Sequence, residues 1–286
     1  MRLPGGAPPY LQAAPLALIL LLFFGVPLLL VVVVSFWTFD LYGFHPALSL
    51  ENYRQLLTAT STYKVYLATV MLALIVWAIA LVLAFVVSYF MAFHVRSFGW
   101  QVGLLLICTV PFWTSDIIRM ISWIPLLGVH GILNQTLLKL GLVREPLKFL
   151  LFSPFAVVVA YVNLFTLFMI VPIFNSMARI DRALLEAARD SGAAGWRIIA
   201  EIVVPLTKTG IALGSIFVLT LVMGDFYVVA EMSGGQMASV VSAMSNQISL
   251  LQYPPAAASA VVLLIIVTLM VAGILRVVDV RKELTG

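Results

Sequence analysis

Residues 16–37, LALILLLFFGVPLLLVVVVSFW, contain no charge and span more than the length of hydrocarbon a helix must cross. Water cannot be the solvent of such a segment, and the chain has several more. About 20 consecutive apolar residues cross a bilayer core as a helix. The segments that qualify are Leu16–Trp37, Tyr66–Phe93, Val102–Trp123, Leu150–Phe174, Thr209–Ala230 and Ala260–Val278. The third is interrupted by Pro111, Asp116 and Arg119, and the fifth by Asp225. A soluble chain of this size carries about 25% charged residues, whereas this one has 10%. The sequence thus predicts an all-α integral membrane protein of about six transmembrane helices, in one domain over residues 1–286. Its core lies at about 62–280, preceded by an N-terminal span at 16–37. The first span is longer than a signal-peptide core of about 7–15 residues and lacks a small-residue cleavage site, so we read it as uncleaved.

Six crossings place both termini on one side, and the distribution of Lys and Arg says which. With the termini inside, Arg2, Arg96, Arg179, Arg182, Arg189, Arg197, Lys208, Arg276, Arg281 and Lys282 are cytoplasmic. Arg54, Lys64, Arg119, Lys139, Arg144 and Lys148 are not, and these two sets account for all 16 basic residues. No Lys or Arg occurs between Lys208 and Arg276, so the fifth span has a basic loop at one end and an uncharged-to-acidic connection at the other. The termini are therefore assigned to the cytoplasm, as is the loop at 176–208. Net charge of +4 belongs to these loops and not to nucleic-acid binding. Of the outer connections, Gly128–Phe149 predicts an interfacial amphipathic helix. In it Ile132, Leu133, Leu137, Leu138 and Leu140 form the apolar side, with Asn134, Gln135 and Lys139 between them. Glu231–Pro255 predicts an irregular or re-entrant segment.

The cytoplasmic loop is the least oily part of the chain. Charges alternate through Asp181, Arg182, Glu186, Arg189, Asp190, Arg197 and Glu201. Ala183–Asp190 favours helix, Asp181 can cap its start, and Gly192 suits the left-handed position that ends it. From Ala193 a second helix resumes, with Ile198, Ile199, Ile202 and Val203 on one face before Pro205. The small side chains of Ala187 and Ala188 allow a partner to approach the backbone closely. Glu186 and Arg189, one turn apart, offer charges to that partner or to each other.

The spacing Glu186-Ala187-Ala188, then Gly192, then Ile202 and Pro205 resembles the EAA loop of binding-protein-dependent ABC importers. Val204 stands where that family usually has Leu. PFWTSDIIRMISW (Pro111–Trp123), GILNQTLLKLGLV (Gly131–Val143), RIDRALLEAARDSGA (Arg179–Ala193) and GDFYVVAEMSGG (Gly224–Gly235) look like its spermidine/putrescine permease branch. The likeness runs from the third span onward, with the first two spans agreeing in hydrophobicity alone. It implies the type I permease fold in the bacterial cytoplasmic (inner) membrane, and a loop that docks on a cytoplasmic ATPase through Glu186, Ala187, Ala188, Arg189, Asp190, Gly192, Ile202 and Pro205. It also implies a second, homologous permease as heterodimer partner, two ATPase subunits, and a periplasmic or extracellular solute-binding protein. ATP and Mg would sit on the ATPase, with no cofactor in this chain. The absence of GxxxxGK[ST] from the sequence agrees.

Charges within or at the ends of spans mark a second candidate region, because each costs at least about 2.5–3.5 kcal/mol to insert. Counting about 1.5 Å per residue from the cytoplasmic side puts Asp225 at about 21 Å and Asp116 at about 24 Å, in the outer third of the hydrocarbon. Asp116, Asp225 and Glu231, with Trp113 and Tyr227, make a candidate substrate pathway for an ammonium. Arg119 in the same region suits a carboxylate. Plainer readings stand beside this one. Asp116 and Arg119 are placed to neutralise each other, Asp225 and Glu231 to face the binding protein or partner permease, and Trp113, Trp123 and Tyr227 to form an aromatic belt.

The function expected is ATP-driven import of a small polyamine-like solute by a permease subunit that is not itself an enzyme. An amino-acid-like or opine-type solute is the alternative. A membrane enzyme would need a catalytic or metal cluster, and His45, His94 and His130 lie in separate connections without metal-ligand spacing. The lone Cys108 excludes an intramolecular disulfide. A secondary transporter would be expected to show paired broken helices or an inverted repeat, and the sequence has neither.

Overall fold

A computed structural model describes residues 9–40, 43–95 and 97–278; Arg2, Arg96, Arg281 and Lys282, which entered the charge count, lie outside them. Contacts divide the chain into two compact units, 1–63 with 243–265 and 64–242 with 266–286.

In the first unit, α1 (Ala14–Val34) is the N-terminal span, and its apolar side chains are exposed throughout. It contains a wider turn at Leu21–Gly25, where Pro27 cannot donate to the carbonyl of Phe23. A short antiparallel hairpin follows, β1 (Thr38–Asp40) and β2 (Gly43–His45), with Phe39 opposite Phe44. It is the one addition to an otherwise helical reading among the described residues. Next, α2 (Glu51–Thr58) is tied back by Asn52, whose Nδ2 donates to the carbonyls of Ser35 (2.9 Å) and Trp37 (2.8 Å) at the end of α1. Such carbonyls have no partner within their own helix.

The second unit holds the core. The second span, α3 (Thr60–His94), runs 35 residues, more than hydrocarbon requires. One side of it is a stripe of mostly small residues, Thr69, Ala73, Val76, Ala80, Ala84 and Ser88, all buried. The fourth span, α8 (Pro154–Met177), is the most buried helix. Ser153 caps it by accepting from the Ala156 N–H, with Pro154 in the first turn, the position where a missing N–H costs least. The fifth, α11 (Lys208–Gly224), packs along α8 more extensively than any other pair of helices. Gly210 and Gly214 form the contact. A Cβ on Gly210 would overlap the Pro172 carbonyl, and one on Gly214 would come within 3.0 Å of the Met169 side chain. Glycines four apart let two helices meet backbone to backbone, where dispersion has to replace the hydrophobic effect. Trp77 Nε1 donates to Ser215 Oγ (2.8 Å) and Ser88 Oγ to the Ile170 carbonyl (3.1 Å), joining α3 to both.

The spans differ from expectation where prolines and charges sit. The third ends at Trp113 as α4 (Gly99–Trp113), and Asp116 begins a separate helix, α5 (Asp116–Ile121). A helix N-terminus suits a carboxylate better than a helix interior does. The fifth likewise ends at Gly224 instead of Ala230, with Asp225 extended beyond it. The sixth, α14 (Tyr253–Val277), starts earlier than predicted because Pro254 and Pro255 fall in its first turn, where proline is favoured. Residues 116–139 are apolar enough for a span. They are cut instead into α5, α6 (Trp123–Leu127) and α7 (Ile132–Lys139), with Gly128 and Gly131 in the break. The apolar residues of α7 lie largely exposed, on the side an interfacial helix turns to lipid. Asn134 is the fully buried one, donating to the carbonyls of Gly128 and Leu147 and accepting from the Leu147 N–H, while Ile132, Leu138 and Leu140 are exposed. Two turns with unpaired backbone groups outrank leucines that lipid solvates equally well. The 231–255 connection is more ordered than predicted. The end of α12 (Tyr227–Met232) reaches into it, and it contains α13 (Val240–Ser249), begun by reciprocal hydrogen bonds between Ser239 and Ser242, a capping box in serine.

Gly210→Ala should therefore lower stability by about 1–3 kcal/mol, the usual range for overpacking. Gly224→Ala, with no atom within 4 Å of the added methyl, should leave it unchanged. Thermal melts of the detergent-solubilised protein distinguish the two.

Candidate functional site

The loop between α8 and α11 forms two helices, α9 (Arg182–Asp190) and α10 (Gly195–Leu206). Asp181 accepts from the Ala183 N–H (2.9 Å) at the start of α9, as the sequence predicts. At its end Gly192 has φ +79°. The Ala193 N–H reaches the Ala188 carbonyl and the Gly192 N–H that of Arg189, the pair of bonds that closes a Schellman motif. The α10 helix restarts with Ile198 and Val203 buried. It takes a wide turn over Ile199–Val203, where Pro205 leaves the Glu201 carbonyl without a donor. It then meets α11 at a bend of 70°.

Two side chains hold α9 to the body of the protein. Leu185 is buried. Arg182 Nη2 donates to the carbonyls of Ala92 (3.0 Å) and Val95 (3.2 Å) at the end of α3, where Gln101 Nε2 also donates to Met91 and Val95. The charge pattern gave Arg182 no task, and only the three-dimensional meeting of α9 with the last turn of α3 supplies one. That contact puts the loop and the connection between the second and third spans on the same face, as the orientation by charge requires. Glu186, Ala187, Arg189, Asp190, Gly192 and Pro205 are exposed, and Ala188 and Ile202 half-buried. Glu186 and Arg189 make no ion pair with each other; among the described residues, ion pairs join His45 to Asp40, Arg54 to Glu51 and Arg119 to Asp116. A mixed polar and apolar cavity of about 310 Å³ lies beside α9, lined by Ser176, Arg179, Ile180, Asp181, Leu184 and Leu206.

At the other end of α8 and α11 the polar cluster assembles. Asp225 follows the last residue of α11, and its Oδ1 accepts from the Val228 N–H (2.9 Å) and from Tyr161 Oη (3.0 Å). It thus caps α12 and ties it to α8. Tyr161 is fully buried and was not singled out by the sequence, where it is one more aromatic in an apolar run. Asp116 pairs with Arg119 on the next turn. The structure thus pairs Asp116 with Arg119 and joins Asp225 to Tyr161 and Val228. Trp113 is 90% exposed, Tyr227 half-buried and Glu231 exposed on α12. No group of three or more His, Cys, Asp or Glu side chains able to hold a metal occurs among the described residues.

Apolar spans around a glycine-mediated helix pair, with a helical elbow exposed at one end, define a multi-span membrane subunit. Similar proteins place it further. The chain is 36% identical over 220 residues to the spermidine/putrescine transport system permease protein PotB of Escherichia coli (strain K12), covering 76% of this chain and 77% of PotB. The Haemophilus influenzae PotB is 35% identical over 219 residues. In fold it resembles a chain of the bacterial alginate ABC transporter solved in complex with alginate pentasaccharide-bound periplasmic protein. That likeness has a TM-score of 0.73 at 16% identity, over 93% of this chain and 91% of the other. The chain matches no protein-family model. It belongs to the permease subunits of ABC importers, in the spermidine/putrescine permease branch, and is a multi-pass protein of the bacterial inner membrane. The 220 matched residues exceed those between Val102 and the chain's end, so the likeness reaches back into the second span, beyond where the motifs first showed it.

Removing the α9 cap by Asp181→Ala should cost about 1 kcal/mol of local helix stability. The expected result is faster amide exchange confined to 182–190 in hydrogen–deuterium exchange, with the spans unchanged.

Proposed function

We propose that this subunit imports a small cationic amine of the polyamine class, received from a solute-binding protein outside, and that it is driven by ATPase subunits docked on the loop at 176–208. The observation that carries the coupling half is the exposed side of α9. Glu186, Arg189 and Asp190 form no ion pair among the described residues and are exposed together with Ala187, on a helix fixed at both ends and held to the body through Arg182 and Leu185. A helix so fixed passes a push from below into α8 and α11 as rigid-body motion, with Gly192, Ile202 and Pro205 shaping the elbow. ATP and Mg belong to two ATPase subunits, and this chain supplies no chemistry of its own. A second, homologous permease completes the pathway as a heterodimer.

Kinship with PotB favours a polyamine, and the solved alginate importer with its periplasmic protein favours an external binding protein. On this chain the substrate would meet Asp116 and Asp225 first, with Glu231, Trp113 and Tyr227 at the entrance. The alternative, an amino-acid-like or opine-type solute held by its carboxylate on Arg119, is weakened because that guanidinium is already engaged by Asp116.

Proteoliposomes containing the whole complex, with binding protein outside and ATP inside, should take up radiolabelled putrescine or spermidine. Glu186→Lys should abolish uptake and release the ATPase during purification. ATPase retained equally by parent and variant would refute the docking role. Uptake of neither polyamine would refute the substrate.

A further inference from the structure

Arg119 is the cation already resident in the polar cluster. Its guanidinium pairs with the Asp116 carboxylate one turn earlier and lies over the Phe112 ring, 5.4 Å from the centroid. The two partners differ in access. The Arg119 side chain is 12% exposed and that of Asp116 69%, so the guanidinium is drawn inward against the ring while the carboxylate stays open. Nε of Arg119 is buried without a hydrogen-bond partner. The side chain therefore uses fewer donors than its fork provides, and it is held by one carboxylate and one ring.

Phe112 is the end of a continuous aromatic series. It stands edge-on to Phe168 at 4.7 Å. Phe168 lies 6.2 Å from Phe165 and 6.3 Å from Phe217, and Phe165 stacks on Tyr161 at 5.6 Å. Phe112, Phe168 and Phe217 line a wholly apolar cavity of about 310 Å³ with Thr109 and Leu167. A ring face that already holds a cation paired to an open carboxylate, with an apolar cavity lined by the same ring, is what an alkylammonium needs. The charged head takes the carboxylate and the quadrupole of the ring, and the methylene stem takes the cavity.

We propose that Arg119 is a displaceable, tethered cation: it occupies the ammonium site formed by Asp116 and Phe112 until a substrate ammonium replaces it. The inference rests on the polyamine reading and deepens it by naming the subsite. In the empty transporter the tether keeps Asp116 from standing uncompensated at the membrane boundary, where an unpaired charge is costly. It also denies the site to small inorganic cations, which lack the stem that fills the cavity.

The test is equilibrium binding of radiolabelled spermidine to the whole complex in nanodiscs without its binding protein. Arg119→Gln should tighten binding by about tenfold, equivalent to losing one competing interaction of that size. Arg119→Lys, which keeps a cation on the tether, should stay near the parent. Adding Phe112→Leu to Arg119→Gln should return most of the gain, which simple neutralisation of Asp116 by Arg119 would not produce. Binding to Arg119→Gln that is unchanged, weaker or undetectable, in a complex whose parent imports spermidine, overturns the displaceable cation and leaves the polyamine reading intact. A parent that imports no polyamine, with Arg119→Gln abolishing uptake of a carboxylate solute, overturns both.

Discussion

The backbone contact between Pro154–Met177 and Lys208–Gly224 is the constraint on which the rest of the second unit depends. Gly210 sits against the Pro172 carbonyl and Gly214 against Met169, so the two helices have almost no freedom to slide or roll. Lipid offers a leucine nearly what another helix offers, and association in hydrocarbon comes from close packing and a few polar contacts. Trp77–Ser215 and Ser88–Ile170 are those contacts, and they lock the second span onto the pair. One end of this three-helix body carries the helical elbow at 182–206, and the other carries the Tyr161–Asp225 hydrogen bond. A displacement at either end has to be shared by the other, because the helices between them are packed through backbone and not through pliable side chains.

The charged and polar residues are arranged by the same economy. Each departure from continuous helix coincides with a residue that can serve the backbone groups it exposes. Asp116 stands at a helix start, Asp225 caps the short helix after the fifth span, Asn134 satisfies two turns at once, and Gln101 and Arg182 take the last carbonyls of the second span. In hydrocarbon an unpaired backbone group costs several kcal/mol, so these side chains are as structural as the leucines. Reading an intramembrane charge as a substrate ligand therefore requires showing what the charge does when no substrate is present. For Asp225 the answer is a cap and a tyrosine hydroxyl, and for Asp116 it is Arg119.

What could be read from the sequence follows from how local each signal is. The Asp181 cap and the Gly192 turn are written within a few residues of one another, and the structure has them where they were placed. Span ends shifted wherever Pro254, Pro255, Asp116 or Asp225 competed with hydropathy, since a window of apolar residues does not register which backbone groups need a partner. The Gly210–Gly214 pair is visible as GIALG but carries no information about which helix it meets. Arg182 and Tyr161 were missed for a related reason: their partners lie 64 to 90 residues away in the chain. Asn134 could be read only as a polar residue of an interfacial helix, because its partners at Gly128 and Leu147 lie in turns that amphipathic spacing does not register.

These engagements also separate the two candidate regions by what a substitution can reveal. On the loop, the residues whose side chains or turn make the fold (Asp181, Arg182, Leu185, Gly192) are not those of the exposed Glu186, Ala187, Arg189 and Asp190 side chains, so charge there can be altered without touching a cap or a buried contact. At the other end no such division exists. Asp225 accepts from Tyr161 and Val228 through one oxygen, so replacing it with alanine would uncap a helix and strand a buried hydroxyl, and loss of transport would say nothing about substrate. Asparagine keeps an acceptor in the same place and removes only the charge. The comparison of those two substitutions, and not either alone, distinguishes a carboxylate that binds a cation from one that holds the outer end of the helix pair together.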